Sequence, residues 1–206
     1  VASSFGFPAY VSFDYLVISS IRVPNSKSQV DIPNELRQMA QIARFENQIV
    51  NTMNSTPASV TGMVSQEEKQ PLLHVLNQQL SQLEISLEEN NLDDIRKFLL
   101  LVAKVHLLTY YFTDVTSQGA GKSNGNIYEG SYSIMELDTS FETKRGLVKV
   151  YNAAVNFLIH ANSMWEHDPT IIKYFPGLFV LNIWQSACII SKLIHLSLIH
   201  ISEPTR

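Results

Sequence analysis

With 206 residues, 45% of them hydrophobic, the chain can bury one sizeable core. Its net charge of -4 excludes the basic footprint of a nucleic-acid-binding module, and its single cysteine, Cys188, excludes a disulfide framework or a thiolate zinc site built within it. A mean hydropathy of +0.02 is high for a free-standing soluble domain and points to helices meant to be covered by further protein. The chain begins at Val1 with no basic segment ahead of an apolar run, so no signal peptide is read.

Phe5-Gly6-Phe7-Pro8 is a turn signal, and Pro8 suits the first turn of a helix. Tyr10, Phe13, Val17 and Ile21 continue it as a helical stripe, although the β-branched residues Val17, Ile18, Ile21 and Val23 leave a strand open. Residues 24–30 are polar and read as a loop. Asp31-Ile32-Pro33 then opens a helix, with Asp31 as cap, Pro33 in the first turn and Glu35 at the positive end of the dipole. Leu36, Met39, Ile42, Phe45, Ile49 and Met53 share one face at spacings of three and four. Residues 54–62 carry Ser, Thr, Pro and Gly and break the helix.

Ser65-Gln66-Glu67-Glu68 is a capping box. Leu73, Leu76, Leu80, Leu83 and Leu87 follow as a heptad seam. Such a seam can dimerise as a coiled coil. The run covers only about two heptads, short of the three to four that argue for one, so packing inside the same domain is the preferred reading. Residues 88–91 are a polar turn, and 92–112 form a second long helix with Asp93 and Asp94 at its start. That helix is apolar on nearly all sides, from Ile95 and Phe98 to Leu108 and Phe112, and should be central. The short turn predicts that the two helices pair as an antiparallel hairpin.

Residues 115–138 are rich in Gly, Ser and Asn and read as a long surface loop. A helix is predicted over 142–164, with Leu147, Val150, Tyr151, Ala154, Val155, Leu158 and Ala161 on its apolar face. Residues 165–169 turn the chain, 170–175 form a short link, and Pro176-Gly177 stops it. The last native helix runs over 178–195. It is apolar, but Asn182, Gln185, Ser186, Ser191 and Lys192 make it too polar to favour a membrane span of about 20 apolar residues, so a buried helix is expected and no membrane partner is read. The fold class is all-α: a multi-helix array of antiparallel hairpins, truncated at both ends.

Gly119-Ala120-Gly121-Lys122-Ser123 imitates the end of a phosphate loop, but Thr116 stands where the pattern needs its first glycine, and a helix rather than a strand precedes it. The histidines (His74, His106, His160, His167, His195 and His200) lack metal-ligand spacing and read as solvated or hydrogen-bonded. Cys188, between Ala187 and Ile189, reads as an inert buried thiol. No catalytic, cofactor-binding or metal-binding residue is assigned. His106, Asn182 and Gln185 are polar residues on apolar helices, and each needs a partner because an unpaired buried polar group costs about 1–3 kcal/mol. A cross-helix hydrogen bond is the preferred reading of each. A small-molecule effector pocket between helices is the other.

Residues 196–206, Leu-Ser-Leu-Ile-His-Ile-Ser-Glu-Pro-Thr-Arg, resemble an in-frame translation of a sequencing-library adapter and are read as a non-native tail. Residues 1–195 are then the native part, cut within its last helix.

Taken in order, Gly6-Phe7-Pro8, Asp31-Ile32-Pro33-Asn34-Glu35-Leu36, Ile42-Ala43-Arg44-Phe45-Glu46, Tyr110-Tyr111-Phe112 and Tyr174-Phe175-Pro176-Gly177 lead to Trp184-Gln185-Ser186-Ala187-Cys188-Ile189-Ile190 and its ending Ser191-Lys192-Leu193-Ile194-His195. That order resembles the middle regulatory region of fungal binuclear zinc-cluster (Zn2Cys6) transcription factors, over nearly all of 1–195. The resemblance implies an all-helical regulatory (middle homology) domain of a nuclear protein that controls an activation segment. It also implies, in the leucine-pathway branch of the family, a response to isopropylmalate, an intermediate of branched-chain amino acid synthesis. It implies DNA binding and zinc in an N-terminal cluster that lies outside this chain, homodimerisation and a small-molecule effector. It places no cofactor in these residues and implies no enzyme. A helical scaffold or adaptor for protein–protein interaction is the alternative, and a six-cysteine cluster upstream in the complete gene separates the two.

Overall fold

The computed structural model describes residues 32–55, 62–88, 92–112 and 141–202. Five α-helices account for most of them: α1 (Asn34–Met53), α2 (Gln66–Glu88), α3 (Asp94–Thr109), α4 (Phe141–His167) and α5 (Gly177–Ser202). Short 3-10 turns at Tyr110–Phe112 and Ile171–Tyr174 follow α3 and α4, and no strand occurs among the described residues. The all-α expectation is met. The helix expected from Pro8, the loop over 24–30, the Asp31 cap, the loop over 115–138 and the Gly119–Ser123 motif lie outside the described residues.

Helix α1 starts one residue later than Pro33 would allow as a first-turn residue. Pro33 is itself the N-cap, in extended conformation, and its carbonyl accepts the first helical bond from the Arg37 N–H at 3.1 Å. The buried face is Gln38, Ile42, Phe45, Ile49 and Met53, while Leu36, expected on it, is 56% exposed. Gln38 holds that place because its carbonyl oxygen accepts a hydrogen bond from the buried Arg96 guanidinium of α3. Beyond α1, Gly62 has a φ of +72°, a left-handed conformation that costs glycine little, and the Val64 N–H returns to the Met53 carbonyl at 3.0 Å.

At the start of α2, Ser65 Oγ accepts from the Glu68 N–H at 3.4 Å and donates to the Glu68 carboxylate at 2.9 Å, a variant of the expected box. Leu73, Leu76, Leu80 and Leu87 are all buried and Leu83 packs beside them. The heptad seam is therefore spent inside the domain. Helix α2 is tied to α1 by a Gln48–Gln79 side-chain hydrogen bond of 2.8 Å and to α3 by the Lys104–Glu84 ion pair at 2.8 Å.

Helix α3 is central, as its composition predicts: it packs on α1, α2 and α4. The Asp93 carboxylate caps it, accepting from the Arg96 N–H at 2.7 Å. Its broadest interface is with α4 and the next with α1, both wider than the one with α2, its predicted hairpin partner. The connection at 89–91 lies outside the described residues.

On α4 the buried face is Leu147, Val150, Ala153, Ala154, Phe157, Ala161 and Met164, whereas Tyr151, expected inside, is exposed. Phe157 has no access to solvent and meets Phe98 of α3 edge-on at 4.8 Å between centroids. Residues 165–167 extend this helix rather than turning, and the turn comes at Asp168, whose carboxylate accepts from the Thr170 N–H and hydroxyl. These bonds hold the exposed Asp168 carboxyl below the ordinary carboxylate range.

Helix α5 departs furthest from expectation. By length and composition alone Gly177–His195 could cross a membrane, and only 17% of that window is buried. The expectation of a buried helix does not hold: one stripe packs inward and the rest is open, because no described helix covers the outer face. Asn182 and Ser186, the polar residues, face inward, while Val180, Trp184 and Ile194 are 56%, 64% and 46% exposed. Phe179 stacks on Phe98 at 4.4 Å, and the Lys192 ammonium stands 5.3 Å from the Phe112 ring centroid.

Candidate functional site

Three helical stripes face one another across a cleft of about 400 Å³, lined by α1, α3, α5 and the turn after α3. Helix α1 contributes Glu46, Ile49 and Val50, and α3 contributes Val102, Val105, His106 and Thr109. Helix α5 contributes Asn182, Gln185, Ser186 and Ile189, together with Trp184 and Cys188 at its edge. On each helix the spacing is three and four, so the side chains project from a single face.

The three polar residues singled out from the sequence, His106, Asn182 and Gln185, all line this cleft. They lie on helices separated by more than seventy positions, so only packing brings them together. His106 Nδ1 lies 3.2 Å from Glu46 Oε1, with about four-fifths of each side chain buried. Glu46 faces His106 across the helices at ion-pair distance but without hydrogen-bond geometry, so the cross-helix hydrogen bond expected for His106 is not formed at Nδ1, and Glu46 is a residue the sequence does not single out. Its position one turn ahead of Ile49 and Val50 on the α1 face was the available signal. The Thr109 hydroxyl donates to the His106 carbonyl at 2.7 Å.

Asn182 is 4% exposed, and its Oδ1 is buried with no hydrogen-bond partner among the described residues. Tyr110 closes one end of the cleft, and its hydroxyl accepts a 3.4 Å hydrogen bond from Asn54 Nδ2. Burial pushes the Tyr110 phenol above its ordinary value of 10.0, and the Asn54 bond offsets this in part. Cys188 is exposed, which corrects the expectation of a buried thiol: it lies on the α5 surface that no described helix covers.

Elsewhere His160 Nε2 is 2.9 Å from the Asp94 carbonyl and His74 is 3.2 Å from Gln78 Nε2, so both rings have polar partners. Among the described residues no group of three or more His, Cys, Asp or Glu side chains gathers as a metal site would require. The cleft combines apolar walls with the Glu46–His106 pair and the polar groups of Thr109, Tyr110, Asn182, Gln185 and Ser186. Small-molecule sites are commonly apolar clefts with a few polar groups.

No family model and no solved structure matches the chain. Over 198 residues, 96% of its length, it is 99% identical to "Regulatory protein LEU3" of Saccharomyces cerevisiae (strain ATCC 204508 / S288c). The chain spans 22% of that protein. The similarity is to a fungal regulatory protein, the class to which the order of motifs pointed.

Proposed function

We propose, from this near-identity to a fungal regulator, that residues 1–195 are part of the middle regulatory region of a Zn2Cys6 transcription factor acting in the nucleus. In this reading the helical array controls transcriptional activation without catalysing a reaction. DNA contact and zinc belong to a cluster elsewhere in the longer protein, and the active species is a homodimer. Because the α2 leucine seam is buried, dimerisation uses another surface. The 198 matched residues include at least three of 196–206, so only the part of that tail outside the match is assigned to the translated adapter.

The observation that carries the reading is 99% identity over 198 residues. The cleft supplies a physical means of control. A ligand seated between α1, α3 and α5 favours whichever arrangement of these helices binds it more tightly, and it shifts the population only by that difference in affinity. His106, Asn182 and Gln185 are the residues proposed to meet the effector, a metabolite of branched-chain amino acid synthesis.

The test is a reporter gene driven by the full-length regulator, with and without the segment matching residues 32–195. Loss of metabolite-dependent control with DNA occupancy intact is the expected result. Control that survives the deletion overturns the reading. The alternative, a scaffold for protein–protein contact, draws on the exposed apolar residues of α5 and predicts loss of a bound partner instead.

A further inference from the structure

We infer that His106 anchors an effector carboxylate in the cleft and that Glu46 is the group this carboxylate displaces. This rests on the effector-pocket reading above and adds the anchoring residue and the helix-to-helix contact that the effector exchanges.

One side chain of the lining can carry a positive charge, and it is His106; no Lys or Arg borders the cleft among the described residues. A carboxylate brought in among Ile49, Val50, Val102 and Val105 needs such a partner, because a buried charge left unpaired is costly. The cleft also holds neutral donors, but two of the hydroxyls are already engaged. Thr109 donates to the His106 carbonyl, and the Tyr110 hydroxyl accepts from Asn54. A bond assisted by charge, the stronger kind, is open to the ligand only at the imidazole.

That imidazole is placed but not satisfied. Its Nδ1 is buried and makes no hydrogen bond among the described residues. Glu46 Oε1 stands 3.2 Å away without the alignment a hydrogen bond needs. A ligand carboxylate, not tethered to a helix, is free to take up the alignment that Glu46 lacks. Two carboxylates beside one imidazole repel each other, more strongly where water is scarce, so the arrival of the second favours departure of the first. Glu46 is only partly buried, which leaves its carboxylate a route back to water. Because Glu46 belongs to α1 and His106 to α3, the exchange replaces a direct contact between two helices with one made through the ligand. A contact that differs between the free and bound arrangements is what a shift of population requires.

Trp184 provides the readout, because it borders the cleft and remains largely exposed. The chain has two tryptophans, so Trp165→Phe leaves Trp184 as the single emitter. Isopropylmalate is titrated into the 206-residue chain carrying that change, alone and combined with Glu46→Gln or His106→Gln. Glu46→Gln should tighten binding by at least about fivefold, since the amide keeps the shape and loses the repulsion. A gain in affinity cannot arise from a damaged fold. His106→Gln should weaken binding by about tenfold or more, with helicity by circular dichroism unchanged. If that variant loses its helicity, the Glu46→Gln titration decides alone. Binding that Glu46→Gln leaves unchanged or weakens overturns the displacement, and binding indifferent to His106→Gln overturns the anchor; the pocket stands in both cases. If isopropylmalate at millimolar concentration moves Trp184 emission in none of the three chains, the pocket reading fails and the inference with it.

Discussion

Gly146 of α4 lies directly against the ring of Tyr111: a Cβ on Gly146 would come within 2.3 Å of Tyr111 Cδ1. The contact lets the turn after α3 settle on the α4 backbone with Tyr111 buried. Neither residue is free to change alone. Gly146→Ala should destabilise the fold by about 1–3 kcal/mol through overpacking, although alanine favours a helix. Combining it with Tyr111→Leu should recover part of the loss, and denaturant unfolding of both variants checks this. A Gly146→Ala variant as stable as the parent would place the ring elsewhere.

The aromatic cluster around Phe98 joins three helices. Its ring meets Phe157 of α4 at 4.8 Å, Phe179 of α5 at 4.4 Å and Phe175 at 5.8 Å. Phe98→Ala should cost about 3–5 kcal/mol, the range for emptying an aromatic core site. Val75→Ala, on the exposed side of α2, should stay within about 0.5 kcal/mol. Thermal midpoints of the two variants give the comparison.

At the start of α3, Asp93 caps the helix and also lies 3.1 Å from the buried Arg96 guanidinium. Asp93→Ala removes both interactions and should lose about 0.5–2 kcal/mol. Asp93→Asn keeps a cap and loses the charge, so its cost should be the smaller of the two. Hydrogen exchange of the Arg96 amide separates them: faster in the alanine variant, little changed in the asparagine variant.

Tyr110 makes stability fall at alkaline pH. Its folded pKa is raised by burial, so the folded state holds the phenol proton more tightly than the unfolded state does. The stabilisation is complete below the unfolded value of about 10 and is lost as pH rises through the higher folded value. Tyr110→Phe should flatten the pH dependence of the unfolding midpoint in that window. Ultraviolet titration of tyrosinate should show one fewer late-ionising residue.

The outer face of α5 should drive association. Val180→Ser with Ile194→Ser replaces two exposed apolar side chains and should reduce light scattering while changing stability by less than about 0.5 kcal/mol. Removing residues 196–206 should act in the same direction. A chain that is monomeric in every form contradicts the expectation.

Much of the array was legible because its signals are local. The Ser65–Glu68 cap, the Asp93 start, the leucine seam of α2 and the apolar girth of α3 each follow from residues within a turn or two of one another. The errors share a cause. Leu36 is expected on the buried face, yet Gln38 takes that place because Arg96, 58 residues away, is its hydrogen-bond partner. Leu158 packs against the core as expected, but the fully buried neighbour is Phe157, which only its contact with Phe98 of α3 reveals. Cys188 is expected to be buried because its helix is apolar, but α5 packs on the array through Phe179, Asn182, Ile183, Ser186, Ile189 and Leu193 and leaves Cys188 outside that stripe.

From the chain alone come an all-helical build, the helix starts that side chains cap, and three polar residues that demanded an explanation. These are consequences of 3.6-residue periodicity and short-range hydrogen bonding, and need no knowledge of neighbours. Tertiary packing alone decided that His106, Asn182 and Gln185 share one cleft, that Glu46 faces His106 at 3.2 Å, and that the Asn182 carbonyl is buried without a hydrogen-bond partner among the described residues. Those outcomes depend on how far each helix is rotated about its axis against partners distant in sequence, and a rotation of that kind leaves no mark in local periodicity.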